Sequence, residues 1–125
     1  MTQPREHLAE RVVYKIATAA QWQAGCEAGE LPWSSDDRRD GFMHLSTRAQ
    51  LAVTAAKHFK GQTGLMLLAI ATAALGEDLR YEPSRGGDLF PHLYGPLAMA
   101  HVVWSVPLAS TADGIPVMPA EIGPP

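Results

Sequence analysis

Two short stretches of this chain hold the residue types best suited to chemistry: Phe42 to Thr47, reading FMHLST, and Phe90 to Leu97, reading FPHLYGPL. In an extended FMHLS segment, strand alternation puts Phe42 and His44 on one face and Met43 and Leu45 on the other. His44 then stands just before a helix opened by Ser46 or Thr47. The free N–H groups and partial positive charge of that helix end favour an anion such as phosphate. The same field disfavours an imidazolium, so a neutral, hydrogen-bonding His44 is expected. The competing account is a half-buried structural histidine bonded to backbone, and the sequence leaves both open.

In the second stretch, His92 and Tyr94 point the same way if the backbone is extended, and Pro91 and Pro96 stiffen it. Two such rings can hydrogen-bond a ribose or stack on a flat heterocycle; a tight turn with aromatic packing is the simpler account of Tyr94. Arg80 and Glu82 alternate on a short strand before the turn SRGG, with Tyr81 opposite. Glu82 can engage sugar hydroxyls, and Arg80 or Arg85 can hold phosphate; a surface Arg80–Glu82 ion pair competes. No P-loop, G-x-G-x-x-G, H-E-x-x-H or G-x-S-x-G pattern occurs. The histidines are too scattered for a metal-site signature, so no metal is expected.

These residues need elements to position them. Val12, Val13, Tyr14 and Ile16 form a β-branched and aromatic first strand. Thr18 and Gln21 have capping-box spacing before a helix that Gly29 ends. Trp22 and Cys26, four apart on that helix, predict a buried, chemically quiet thiol. Glu30 to Asp40 reads as a charged loop containing Trp33 and SSDDRRD. Thr47 and Gln50 cap a second helix that buries Leu51, Ala55 and Phe59. Leu65 to Ile70 is a strand buried on both faces, followed by a helical turn to Leu75. Short strands follow at Leu79–Glu82 and within Phe90–Leu97. A final strand should alternate Val102, Trp104 and Val106 on one face. Residues 1–10 read as a flexible lead-in, 11–108 as one domain, and 109–125 as a Pro/Ala/Gly-rich tail, irregular or mobile. Two early helices and a strand-rich second half make an α+β fold with largely antiparallel sheets.

The whole chain narrows the function classes. At 125 residues it has room for one ordinary domain. Its net charge is −3, and the basic residues form no stripe, which disfavours duplex nucleic acid. The one cysteine excludes an internal disulfide. No apolar run approaches the roughly 20 residues needed to span a bilayer, and the start MTQPREHLAERV lacks a secretory signal. A cytoplasmic location without membrane association is expected.

VYKIAT, AAQWQAGCEAGE, GFMHLST, GLMLLAI, LRYEP and LFPHLYGPL, taken in order, resemble the bacterial family known as domain of unknown function 952. The resemblance runs from about Val12 to Leu108, with FMHLST and FPHLYGPL its most specific parts. That family is similar in fold to the ADP-ribosyltransferase superfamily, especially the branch resembling RNA 2′-phosphotransferases, which bind NAD in a cleft between two small β-sheets. The resemblance implies that His44 positions a ribose, that His92 and Tyr94 contact base or ribose, and that Glu82 supplies a carboxylate. Family members often have histidine where this chain has Lys15. A lysine can meet a phosphate or sugar hydroxyl but offers no aromatic face.

The leading expectation is therefore an NAD- or nucleotide-binding protein that transfers ADP-ribose, with His44, Glu82 and His92 as catalytic residues. Lys15, His44, Ser46, Thr47, Arg80, His92 and Tyr94 would bind the nucleotide. A phosphorylated RNA is a candidate acceptor. The alternatives are a non-catalytic nucleotide or small-ligand module, favoured by Lys15, and a metal-binding or interaction domain using the same pocket or the Trp33 region.

Overall fold

The computed structural model describes residues 11–122; the expected lead-in, Met1 to Glu10, and residues 123–125 lie outside the described residues. The chain runs β1 (Val12–Ala17), α1 (Ala19–Ala28), β2 (Glu30–Leu31), α2 (Ser35–Asp40), β3 (Met43–His44), α3 (Arg48–His58), β4 (Met66–Ala71) and α4 (Thr72–Leu75). It continues through β5 (Leu79–Pro83), β6 (Leu89–Leu93), β7 (Leu97–Ala98) and β8 (Val102–Pro107), with 3₁₀ turns between several of these. The strands form three small antiparallel sheets, ordered β1-β4-β8, β2-β7 and β3-β6-β5. The α+β architecture with small antiparallel sheets is as the sequence implies.

β4 sits at the centre because it has no polar face to offer water. Its Leu68 and Ile70 join Val13, Leu31, Met43, Leu45, Leu93 and Leu97 in one core. Leu67 and Ala69 point the other way, joining Tyr14, Ile16, Leu51, Ala55 and Leu65 in a second. α3 contributes Leu51 and Ala55, one turn apart, and Phe59 packs at the edge. Strand alternation along β1 puts Tyr14 and Ile16 in the second core and Val13 and Ala17 in the first. Lys15 therefore shares the inward face of Val13 and Ala17, and it is only 6% exposed.

The two larger sheets meet at the FMHLS segment. His44 pairs with His92 in the third sheet. Two residues on, Ser46 exchanges both backbone hydrogen bonds with Tyr14 of the first sheet, at 2.8 and 2.9 Å. One short stretch thus stitches both sheets together and fixes the wall between them.

Three local expectations are corrected. Cys26 is exposed, not buried. The inward face of α1 runs from Trp22 to Gly25, its i+3 neighbour, and a Cβ at Gly25 would meet Met99 Sδ at 3.0 Å and Leu31 Cδ1 at 3.1 Å. The charged stretch Glu30 to Asp40 is not a loop, since it holds β2 and α2. Ser34 caps α2 by a reciprocal pair of bonds with Asp37, each 3.1 Å, and Gly41 ends it at φ 84°. In β8 the alternation breaks. Trp104 faces Ala69 but Val102 faces Ile70, because a bulge leaves Val103 extra and turns Val102 to the first core. The segment after Pro107 is irregular, as its composition implies, and it is anchored: Leu108 is buried, Met118 and Ile122 pack on the second core, and Gly61 N–H donates to Gly114 O.

Candidate functional site

The site begins with a lysine that strand alternation points into the protein. A buried ammonium needs a partner, and Asp37 of α2 supplies it: Lys15 Nζ lies 3.1 Å from Asp37 Oδ2 and also donates to His44 O at 3.2 Å. Asp37 is fully buried at 0% exposure. Its Oδ2 also accepts from Ser34 N–H, while its Oδ1 accepts from His44 N–H at 3.0 Å and lies 2.6 Å from His44 Nδ1. One carboxylate therefore fixes the start of α2, the backbone of β3 and the His44 ring. Burial pushes its carboxyl up. The hydrogen bond from His44, the Lys15 charge and the two backbone donors outweigh that and hold it well below the usual carboxylate range. Burial pushes Lys15 down, opposed by Asp37.

The other nitrogen of His44, Nε2, faces Asp40 Oδ2 at 2.8 Å. Asp40 is held at about 2, chiefly by its hydrogen bond from Arg39, with His44 assisting against burial. A carboxylate thus faces each ring nitrogen of His44.

His92 lies directly across from His44 on β6 and is 5% exposed. Its Nδ1 is 2.7 Å from Glu82 Oε1, which also accepts from Tyr94 OH at 2.8 Å. Glu82 is lowered by the His92 hydrogen bond first and the Tyr94 bond second, and Tyr94 is raised by its bond to Glu82. Phe42 stacks on His92 with centroids 3.9 Å apart and touches the rings of His44 and Tyr94. The two imidazoles stand edge to face at 5.9 Å. Arg80 lies over the Tyr94 ring at 4.4 Å rather than pairing with Glu82.

His44 and His92 both line a cleft of about 500 Å³, the size of a small-ligand site. Lys15, Asp36, Asp37, Arg39, Asp40 and Ser46 line it near His44; Thr54, Lys57 and His58 line it along α3, and Ser84, Gly86 and Asp88 from the β5–β6 turn. Ser46 is buried, with its hydroxyl donating to Thr54 Oγ1 at 3.2 Å. Thr47 caps α3, its N–H donating to Gln50 Oε1 at 3.1 Å. Thr47, Glu82, Arg80 and Tyr94 are not among the lining residues; Glu82 and Tyr94 reach the cleft through His92. The Arg85 side chain lies outside what is described. Trp33 packs on the first core and borders a separate shallow hollow with Pro32 and Pro96.

Asp37 and Asp40 are the residues that sequence reasoning missed. The signal was present: Ser34-x-x-Asp37 is a capping-box spacing, and Asp37 and Asp40 are three apart, on neighbouring positions of a helix face. Among the described residues no group of three or more His, Cys, Asp or Glu is placed to hold a metal ion, and no helix is long and apolar enough to cross a membrane.

The family model described as protein of unknown function (DUF952) matches residues 16–105, which takes in His44, Glu82, His92 and Tyr94. The crystal structure of protein CC0527 from Caulobacter crescentus is 45% identical, covers 89% of this chain and 97% of that one, and superposes with a TM-score of 0.85. A crystal structure of its double mutant is 44% identical with the same coverage and TM-score. The solution NMR structure of the same protein is 47% identical over 85% of this chain and 91% of that one, at a TM-score of 0.76. The comparison with curated proteins gives no match.

Proposed function

Because the chain belongs to the family of unknown function DUF952, we propose that it binds a ribose-bearing nucleotide, NAD or an ADP-ribose-like ligand, and acts as an ADP-ribosyltransferase-like transferase. The observation that carries the reading is the cross-strand pair of histidines, each braced by a carboxylate and both opening on one cleft. The resemblance to the ADP-ribosyltransferase superfamily supplies the choice of nucleotide.

The residues present suit such a ligand. Lys57 and His58 line the cleft at the far end of α3, a helix about 16 Å long, where the Lys57 ammonium offers a cation for a pyrophosphate. The carboxylates around His44 suit sugar hydroxyls and positive charge developing at the ribose. NAD held here would supply an ADP-ribosyl group: nicotinamide would leave ribose C1′ with the bonding electron pair, and an acceptor hydroxyl would add there and lose its proton to solvent. His44 and His92 orient the sugar. Glu82 acts through His92, holding Nδ1 so that Nε2 faces the ligand, which makes it a positioning residue. Arg80, exposed on Tyr94, is the cation available to a phosphorylated RNA acceptor.

Lys15 favours a second reading, a nucleotide-binding module without transfer. It stands where the family often has histidine, and it is buried and committed to Asp37 rather than free to meet a ligand. Calorimetry with NAD and ADP-ribose tests binding, and release of nicotinamide tests transfer. His92→Ala should weaken binding by about 1–3 kcal/mol, the scale for losing a hydrogen bond in a partly desolvated site. Binding without nicotinamide release would select the second reading, and no binding at millimolar ligand would refute both.

A further inference from the structure

Neither ring nitrogen of His44 is left for a ligand. Nδ1 faces Asp37 at 2.6 Å and Nε2 faces Asp40 at 2.8 Å. The two carboxylates differ in freedom. Asp37 cannot leave without stranding buried Lys15 and two backbone N–H groups. Asp40 keeps 30% of its side chain exposed and closes α2 just before Gly41, whose φ is 84°. Arg39 also holds both Asp40 oxygens, at 2.8 and 3.1 Å. Asp40 can therefore leave His44 and keep a cationic partner.

Taking the cleft as a ribose site, as proposed above, we infer that Asp40 determines what His44 recognises, by holding the place of a sugar hydroxyl. A group entering between His44 Nε2 and Asp40 must accept from the ring N–H on one side and donate to a carboxylate on the other. A hydroxyl does both, whereas a dianionic phosphate only accepts. A phosphate here would also face the carboxylates of Asp36, Asp37 and Asp40 and, from the β5–β6 turn, Asp88. The nearby cations are committed, Lys15 to Asp37 and Arg39 to Asp36 and Asp40. The His44 end of the cleft thus selects hydroxyl over phosphate, the reverse of the anion site suggested by the helix that follows it.

The test is carbethoxylation of the full-length protein by diethyl pyrocarbonate, mapped residue by residue by mass spectrometry, with a free histidine-containing peptide in the same reaction as reference. Asp40→Ala should accelerate labelling of His44 about tenfold. Asp36→Ala, which removes an equal charge without touching the ring, should change it less than twofold. Ribose 5-phosphate should protect His44 in the wild-type protein, and inorganic phosphate at equal concentration should not. An unchanged His44 rate in Asp40→Ala, or equal protection by both probes, would overturn the inference. Protection by ribose 5-phosphate with none by ADP-ribose would uphold the hydroxyl site and reject the dinucleotide reading.

Discussion

Replacing Asp37 with asparagine tests whether one buried carboxylate organises the site. Asparagine keeps the size but removes the charge and turns one acceptor into a donor. Its four donors are Lys15 Nζ, Ser34 N–H, His44 N–H and His44 Nδ1. An amide group cannot accept from all of them, and the Lys15 ammonium, 7% exposed at its side chain, loses its counter-charge. Breaking a buried pair by removing one partner costs about 3–5 kcal/mol, a large share of the roughly 5–15 kcal/mol that holds a domain folded. Lys15→Met leaves Asp37 with three donors and should cost less, about 1–3 kcal/mol. The double mutant strands no ammonium, so its loss should fall at least about 1 kcal/mol short of the sum of the singles. Urea unfolding gives each value as a shift in midpoint at constant slope. Asp36→Asn, on an exposed neighbour, is the control and should stay within about 0.5 kcal/mol. Asp37→Asn within 1 kcal/mol of wild type, or strict additivity in the double mutant, would refute the reasoning.

The same carboxylate predicts acid sensitivity. Its folded pKa is depressed, so its stabilisation is complete above the unfolded value near 3.9 and is lost as pH falls through the folded value; the stability gap between wild type and Asp37→Asn, measured by urea unfolding from pH 6 to pH 2, should narrow below about pH 5. Cys26, exposed on α1, should react with a polar thiol reagent in the native protein at nearly the rate seen in denaturant; strong native protection would show that the helix packs differently. Gly41→Ala should destabilise by about 1–2 kcal/mol, since an L-residue is strained at φ 84°, and a neutral or stabilising result in thermal unfolding would contradict the α2 terminus.

Local chemistry made much of this protein legible in its sequence. The caps at Thr18 and Thr47, the glycine stop at Gly29, the apolar run of β4 and the short strands around Pro83 and Pro91 follow from propensities and capping bonds that act within a few residues. The pairing of His44 with His92 joins two stretches far apart in sequence, and it is the β3–β6 register that brings their side chains to one cleft. What sequence reading missed depended on long-range partners. SSDDRRD carries the charge density of a solvated loop, and nothing within the segment shows that Lys15, twenty-two residues earlier, points inward and needs Asp37. Cys26 could be placed on a helix, but which stripe of that helix faces inward was decided by Leu31 and Met99 closing on Gly25. Periodicity likewise could not foresee the bulge at Val103 that turns Val102 to the other core. The sequence determined which elements form, because their causes are local. The tertiary structure alone decided which face each presents and which charges meet, because burial and pairing depend on neighbours far along the chain.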